Sequence, residues 1–315
     1  MGLLEKINDL LEIGWNAPEV TGDIPHGDMP GDKVEIGQDH IRKATLIFTE
    51  LLKEMKIIAN AGHNKIVVTV CGGSGVGKSE TASLLSYYFN MAGIGSYTLS
   101  GDNYPRRIPV YNDAERLKTF REHALWKMLE DNVYTKERFE VIHKLQEEGM
   151  DADKANVEKY PWMLSYLEGG INGLKGYLGT DKEQNFEQLE NILKQFKDGK
   201  DKIFLKRMGR TDTELWFDEV DFSNMEVLII EWTHGNSDYF EGVDIPVLLN
   251  STPEETLAHR RARNRDGKTD SPFTMRVLEI EQQLLHKQAH KAKIIVSKAG
   301  ELLTFEEYSR RMSEV

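Results

Sequence analysis

Gly72-Gly-Ser-Gly-Val-Gly77-Lys78-Ser79 fits G-x-x-x-x-G-K-[ST] at every constrained position. Each residue type has a chemical reason to be there. Glycines let the main chain wrap closely, so that the N–H groups of Gly72, Gly73, Ser74, Gly75, Val76 and Gly77 converge on phosphate oxygens. A helix opening at Lys78, Ser79 and Glu80 adds its positive dipole end. Lys78 can reach the β- and γ-phosphates, and Ser79 can set its hydroxyl on Mg²⁺. The pattern predicts a site for ATP and its metal ion. It does not choose among kinases, ATPases and GTPases. The guanine-reading N-K-x-D pattern is absent, because Asn64-Lys65 is followed by Ile66 and Val67, which disfavours a GTPase switch.

Three further groups fall at the carboxyl ends of predicted strands, where open α/β sheets hold their ligands. In Leu99-Ser-Gly-Asp102-Asn-Tyr104-Pro-Arg106-Arg107, the Asp102 carboxylate can face the phosphate loop. It could take the proton of an attacking hydroxyl, a step worth roughly 10²- to 10⁴-fold. A turn-forming aspartate beside two solvated arginines is the plainer reading. In Val227-Leu-Ile-Ile-Glu231-Trp232-Thr-His234-Gly235, four apolar residues end in an acid that can join a Mg²⁺ shell. In His259-Arg260-Arg261-Ala-Arg263-Asn-Arg265-Asp-Gly-Lys268, helical spacing aligns Arg261 with Arg265. Guanidinium groups there can cover the phosphates, although a solvated basic helix would look the same.

Residues 3–13 and 39–60 carry apolar stripes at helical spacing, separated by a Pro- and Gly-rich loop. A buried strand over 65–71, the loop, a helix over 78–91 and a strand over 96–100 make a βαβ unit. Residues 113–199 are charged, poor in β-branched runs and predicted helical. Strands return at 203–208, 214–217, 227–231, 245–250 and 293–297, with helices at about 253–265, 273–291 and from Thr304 onward. The expected architecture is an α/β P-loop fold with a mainly parallel sheet flanked by helices. Residues 1–62 form an N-terminal helical extension, 63–315 the P-loop domain, and 113–200 a mostly helical insertion.

The phosphate loop, Ser100-Gly-Asp102-Asn-Tyr104, Glu231-Trp-Thr-His-Gly235 and the arginine-rich segment occur in an order and spacing that resemble the phosphoribulokinase and uridine kinase family of P-loop kinases. The likeness covers about residues 65–125 and 200–297. It implies that Asp102 is the general base and that Glu231 serves the metal, with Ser79 and Asp102 beside it. It also implies that Arg261 and Arg265 belong to a lid over ATP. Two departures matter. Trp232 stands where the family usually has glycine, and the 203–210 hairpin lacks the Tyr-Asp pair and histidine of uridine kinases, which speaks against a nucleoside. Type I pantothenate kinases share the fold, length and helical extension, but their substrate motifs are missing.

The expected activity is transfer of the ATP γ-phosphoryl to a hydroxyl of a small, anionic metabolite, a sugar phosphate or sugar acid. The negative charge is expected from Arg106, Arg107, Lys206 and Arg210, with Tyr104 and His234 completing the acceptor side. Strand alternation sends Lys206 and Arg207 to opposite faces, so only one of them should face the site. A P-loop ATPase and a non-catalytic nucleotide-binding regulator are the rivals, and a pantothenate- or nucleoside-like substrate the alternative within kinases.

Composition bounds the partners. At 315 residues and 39% hydrophobic, the chain can build a full core. A net charge of −12 argues against bulk affinity for nucleic acid or an anionic membrane. No run approaches the roughly 18 apolar residues of a membrane span. Glu5, Lys6 and Asp9 break the N-terminal apolar run, which reads as an amphipathic helix and not a signal peptide. Cys71 is the single cysteine, so no intrachain disulfide forms and a cytoplasmic setting is expected. Homo-oligomerisation is left open. His286 and His290 read as ordinary helix surface.

Overall fold

The computed structural model describes residues 1–21, 24, 26–31, 33–252, 254–257 and 271–313. Two compact units are formed: Met1–Tyr104 with Asn185–Thr252 and Leu285–Val315, and Pro105–Gln184 with Pro253–Leu284.

The first unit is built on β1 (Ile66–Gly72), buried along its whole length. A parallel strand covered on both faces must be apolar throughout, which is why β1 reads as one run and not as an alternation. Beside it lie β2 (Ser96–Ser100), β5 (Val227–Glu231), β6 (Ile245–Leu249), β7 (Ile294–Val296) and the short β8 (Leu302–Leu303). The sheet order is β2-β5-β1-β6-β7-β8, with all neighbours parallel except β7–β8. This is the mainly parallel, helix-flanked sheet expected. A separate antiparallel hairpin joins β3 (Lys202–Met208) to β4 (Leu215–Asp221).

Alternation along β1 divides the core. Ile66, Val68 and Val70 pack with α1 (Leu3–Ile13), α2 (Gln38–Asn60) and α3 (Lys78–Met91), through Ile7, Phe48, Leu51, Leu52 and Tyr88. Val67 joins Leu99, Leu228 and Ile230 against the helix Phe186–Lys197. Cys71 joins Leu248, Ile295 and Tyr308. Its Sγ donates to Val247 O at 3.3 Å, and burial pushes its thiol up to about 12. Each fully buried aliphatic or aromatic side chain contributes about 1.5–3 kcal/mol, so the N-terminal helices are a layer of this core.

Element ends differ from expectation where burial is not what makes the strand. β4 runs on to Asp221, past the last apolar residue of 214–217, because it is held by pairing with β3 and is mostly exposed. β8 was not expected, and the helix Pro272–Gln288 stops three residues short, closing in a 3-10 turn at Ala289–Lys291. Most of the helix expected over 253–265 lies outside the described residues.

The second unit is helical. α4 (Pro109–Glu130) lies against the helix Met163–Lys175 along Gly169, Gly170 and Gly173. A Cβ at Gly170 would sit 2.4 Å from Phe120 Cε2, so only glycine allows the approach.

Candidate active site

The phosphate loop leaves β1 at Gly72 and enters α3 at Lys78. Gly77 is the N-cap of α3 with φ +94°, a left-handed conformation that side-chain-bearing residues adopt at a cost. Lys78 Nζ donates to Gly73 O at 3.1 Å, which holds the ammonium over the loop.

Register does the rest. Glu231 is paired with Val70 of β1 on one side and with Ser100 of β2 on the other. One carboxylate therefore stands between the ends of the strand that feeds the loop and the strand that carries Asp102. Its Oε2 accepts from Ser79 Oγ at 3.1 Å and its Oε1 from Ser100 Oγ at 2.6 Å. Oxygen donors of this kind suit a hard cation such as Mg²⁺, and Ser79 and Glu231 are the residues that fit it.

After β2 the chain turns through Gly101–Asn103. Asp102 is exposed there, whereas Asn103 is buried. Trp232 explains the turn. It is 1% exposed and packed on Phe186 and Phe240, and a Cβ at Gly101 would lie 2.1 Å from its Cγ. The indole lies over the position where residue 101 has no side chain. His234, also buried, makes an edge contact with Trp232.

Of the expected acceptor residues, Tyr104, Lys206 and His234 are buried, whereas Arg106 and Arg210 are exposed. Tyr104 is fully buried; its hydroxyl accepts from Lys206 N at 3.3 Å and its ring lies under Lys206 Nζ. A phenol so enclosed offers no surface to an acceptor. Lys206 and Arg207 are both buried and do turn to different sides. Arg210 sits exposed in the hairpin turn, its N–H held by Glu214. Arg106 and Arg107 belong to the second unit, where Arg106 binds Asp181 O and Arg107 binds Tyr177 Oη and Lys182 O. Arg261 and Arg265 lie outside the described residues.

One acid at this end of the sheet was not anticipated. Asp28, from the Pro- and Gly-rich loop, pairs with Arg207 Nη1 at 2.8 Å, and both side chains are 7% exposed. Burial raises the Asp28 carboxyl against the pull of Arg207, Ser100 and Tyr97. Burial alone would lower the Arg207 guanidinium, yet Asp28, Tyr97 and Asp218 together hold it above its ordinary value. Nothing in a single sequence marks Asp28 among the other acids of that loop.

The sheet order and the loop are those of the P-loop class of α/β proteins. No protein-family model matches the chain. Over 238 residues, 76% of its length, it is 40% identical to the bifunctional alpha-galactosidase/sucrose kinase AgaSK of Mediterraneibacter gnavus, and it spans only 20% of that protein. A solved structure provisionally named a fructose transport system kinase, from Silicibacter sp. TM1040, is 12% identical with a TM-score of 0.44, over 81% of this chain and 96% of the other. A provisionally named uridine kinase from Bacillus stearothermophilus is 13% identical with a TM-score of 0.34, over 78% and 98%. Neither value decides the fold, which rests on the strand order and the loop.

Among the described residues no helix is long and apolar enough to cross a membrane.

Proposed function

We propose that the chain is an ATP-dependent sugar kinase, transferring the γ-phosphoryl group to a hydroxyl of a small sugar. The observation that carries this reading is the register of β1, β5 and β2, with Glu231 hydrogen-bonded to both Ser79 and Ser100. A switch or a motor needs a phosphate loop and a metal acid. A kinase also needs a base facing the acceptor, and Asp102 has the exposure for that work.

In this reading the loop N–H groups and Lys78 cradle the β- and γ-phosphates. Ser79 and Glu231 would hold Mg²⁺, which would draw charge from the phosphate oxygens. Asp102 accepts the proton of the acceptor hydroxyl as its oxygen attacks phosphorus, and ADP leaves. Transfer is mainly a matter of positioning and of charge stabilisation.

The sugar is supported by the relative named for sucrose kinase activity. The anionic acceptor expected from the basic residues has less support, because Lys206 is enclosed over the Tyr104 ring and Arg106 and Arg107 are bound within their own unit. We therefore take the acceptor to be an uncharged sugar, with sucrose the first choice.

The test is ADP release with Mg²⁺ and ATP over sucrose, other neutral sugars, sugar phosphates, sugar acids and nucleosides. A neutral sugar should stimulate release strongly. Lys78→Ala, folded as judged by an unchanged melting temperature, should lose about 10²- to 10³-fold of it. Turnover that no acceptor stimulates, or a nucleoside or sugar phosphate as the best substrate, overturns the reading.

A further inference from the structure

Gly27 and Asp28 of the N-terminal segment lie against the catalytic end of the sheet. Gly27 is buried; a Cβ placed on it would lie 3.6 Å from Thr98 Cγ2 and 3.8 Å from Glu231 Oε1. The next residue, Asp28, is inserted between three elements. Its Oδ1 accepts from Ser100 N at 2.7 Å and from Asn103 Nδ2 at 3.0 Å. Its Oδ2 accepts from Tyr97 Oη at 3.1 Å and from Arg207 Nη1 at 2.8 Å.

A carboxylate has about four lone-pair sites, and here four donors from the protein fill them. Asp28 therefore has no site left to take a proton from a substrate. It acts through what it holds. Ser100, fixed by its N–H, sends its Oγ to Glu231 Oε1 at 2.6 Å. Asn103, fixed by its amide, closes the turn that bears Asp102 and accepts Met208 N with its Oδ1 at 3.0 Å. Arg207 is tied to Tyr97 Oη at 2.9 Å and to Asp218 at 3.1 Å as well as to Asp28.

We propose that Asp28 is a positioning residue for phosphoryl transfer. The N-terminal strap clamps the Ser100–Asn103 turn against β3, and so sets both the orientation of Glu231 and the placement of Asp102. The proposal rests on the kinase reading for its catalytic consequence, but the clamp itself does not.

Two measurements on the full chain separate them. In Asp28→Asn, which keeps the shape and removes the charge, backbone amide exchange over Ser100–Asn103 should speed up at least about tenfold while the melting temperature moves by only a few degrees. With the best acceptor, kcat should fall about 10- to 100-fold and the KM for ATP should stay within about twofold. Ser100→Ala keeps the N–H and loses the hydroxyl. If Asp28 acts partly through that hydroxyl, Asp28→Asn should cost less in the Ser100→Ala background than in the parent. Should Asp28→Asn fail to fold, Tyr97→Phe removes one of the four donors and should give the same split at a smaller size. Unchanged exchange overturns the clamp. Faster exchange with unchanged kcat, or equal losses for acceptor and ATP, overturns the positioning role. A parent that phosphorylates nothing sinks the kinase reading and leaves the exchange result to judge the clamp.

Discussion

Lys206 is buried over the Tyr104 ring, 5.2 Å from its centroid, and burial pushes its ammonium down from 10.5 to about 8. Between those values the unfolded chain holds a proton that the folded chain has released, so stability rises with pH across that window. Below about 8 the cost of enclosing the charge is present in full. The stability of Lys206→Met relative to the parent should therefore be greater at pH 7 than at pH 10, by about 1–3 kcal/mol. Urea midpoints at the two pH values measure this, and an equal gain at both would clear the charge of blame. Lys206 was legible in the sequence as a basic residue on a strand, but not as a buried one. The loop residues and Glu231 could be read because a local pattern or a strand end marks each of them. Asp28 could not, since its four donors come from residues 97, 100, 103 and 207 and meet only in the folded chain. Trp232 was visible as a departure from the expected glycine. Its compensation by Gly101 required the sheet.

Elements were legible in proportion to how much burial made them. β1 and β5 are short apolar runs and β2 is a short, mostly buried segment, and the observed strands agree with the expected ones to within a residue. The strand order, with β5 inserted between β1 and β2, is set by long-range pairing and had no local signal. The glycines of the helix Met163–Lys175 were likewise silent. Glycine inside a helix normally costs about 0.5–1 kcal/mol against alanine, so replacing one should help. At Gly170 the sign should reverse, because the new Cβ would be driven to 2.4–2.7 Å from three atoms of the Phe120 ring. Gly170→Ala should cost about 1–3 kcal/mol through overpacking. Gly176→Ala, whose Cβ would meet nothing nearer than 3.5 Å, is the control and should be neutral or slightly stabilising. Thermal unfolding of the two variants makes the comparison, and a stabilised Gly170→Ala would refute the close helix contact.

At the scale of the whole molecule, the chain leaves the first unit after Tyr104, returns at Asn185, leaves again after Thr252 and returns at Leu285. Its first unit thus draws on three separate stretches, and β1 at its centre is bonded on both edges by strands from beyond the first crossing. Cys71 is the last residue before the phosphate loop on that strand, and the only thiol in the chain. It can serve as a clock. An alkylating reagent needs the thiolate, and here the thiolate is suppressed by burial and the sulfur is shielded by Leu248, Ile295 and Tyr308. Modification must wait for the central strand to open, so at pH 8 the native chain should label about 10³- to 10⁶-fold more slowly than the unfolded one. A nucleotide that grips the neighbouring loop holds the strand shut, and at 100 times its dissociation constant should slow the clock about a further hundredfold. The time course of one covalent mark would then rank nucleotides by affinity without any turnover being measured, and rapid labelling of the native chain would show that β1 is not the closed centre of the sheet.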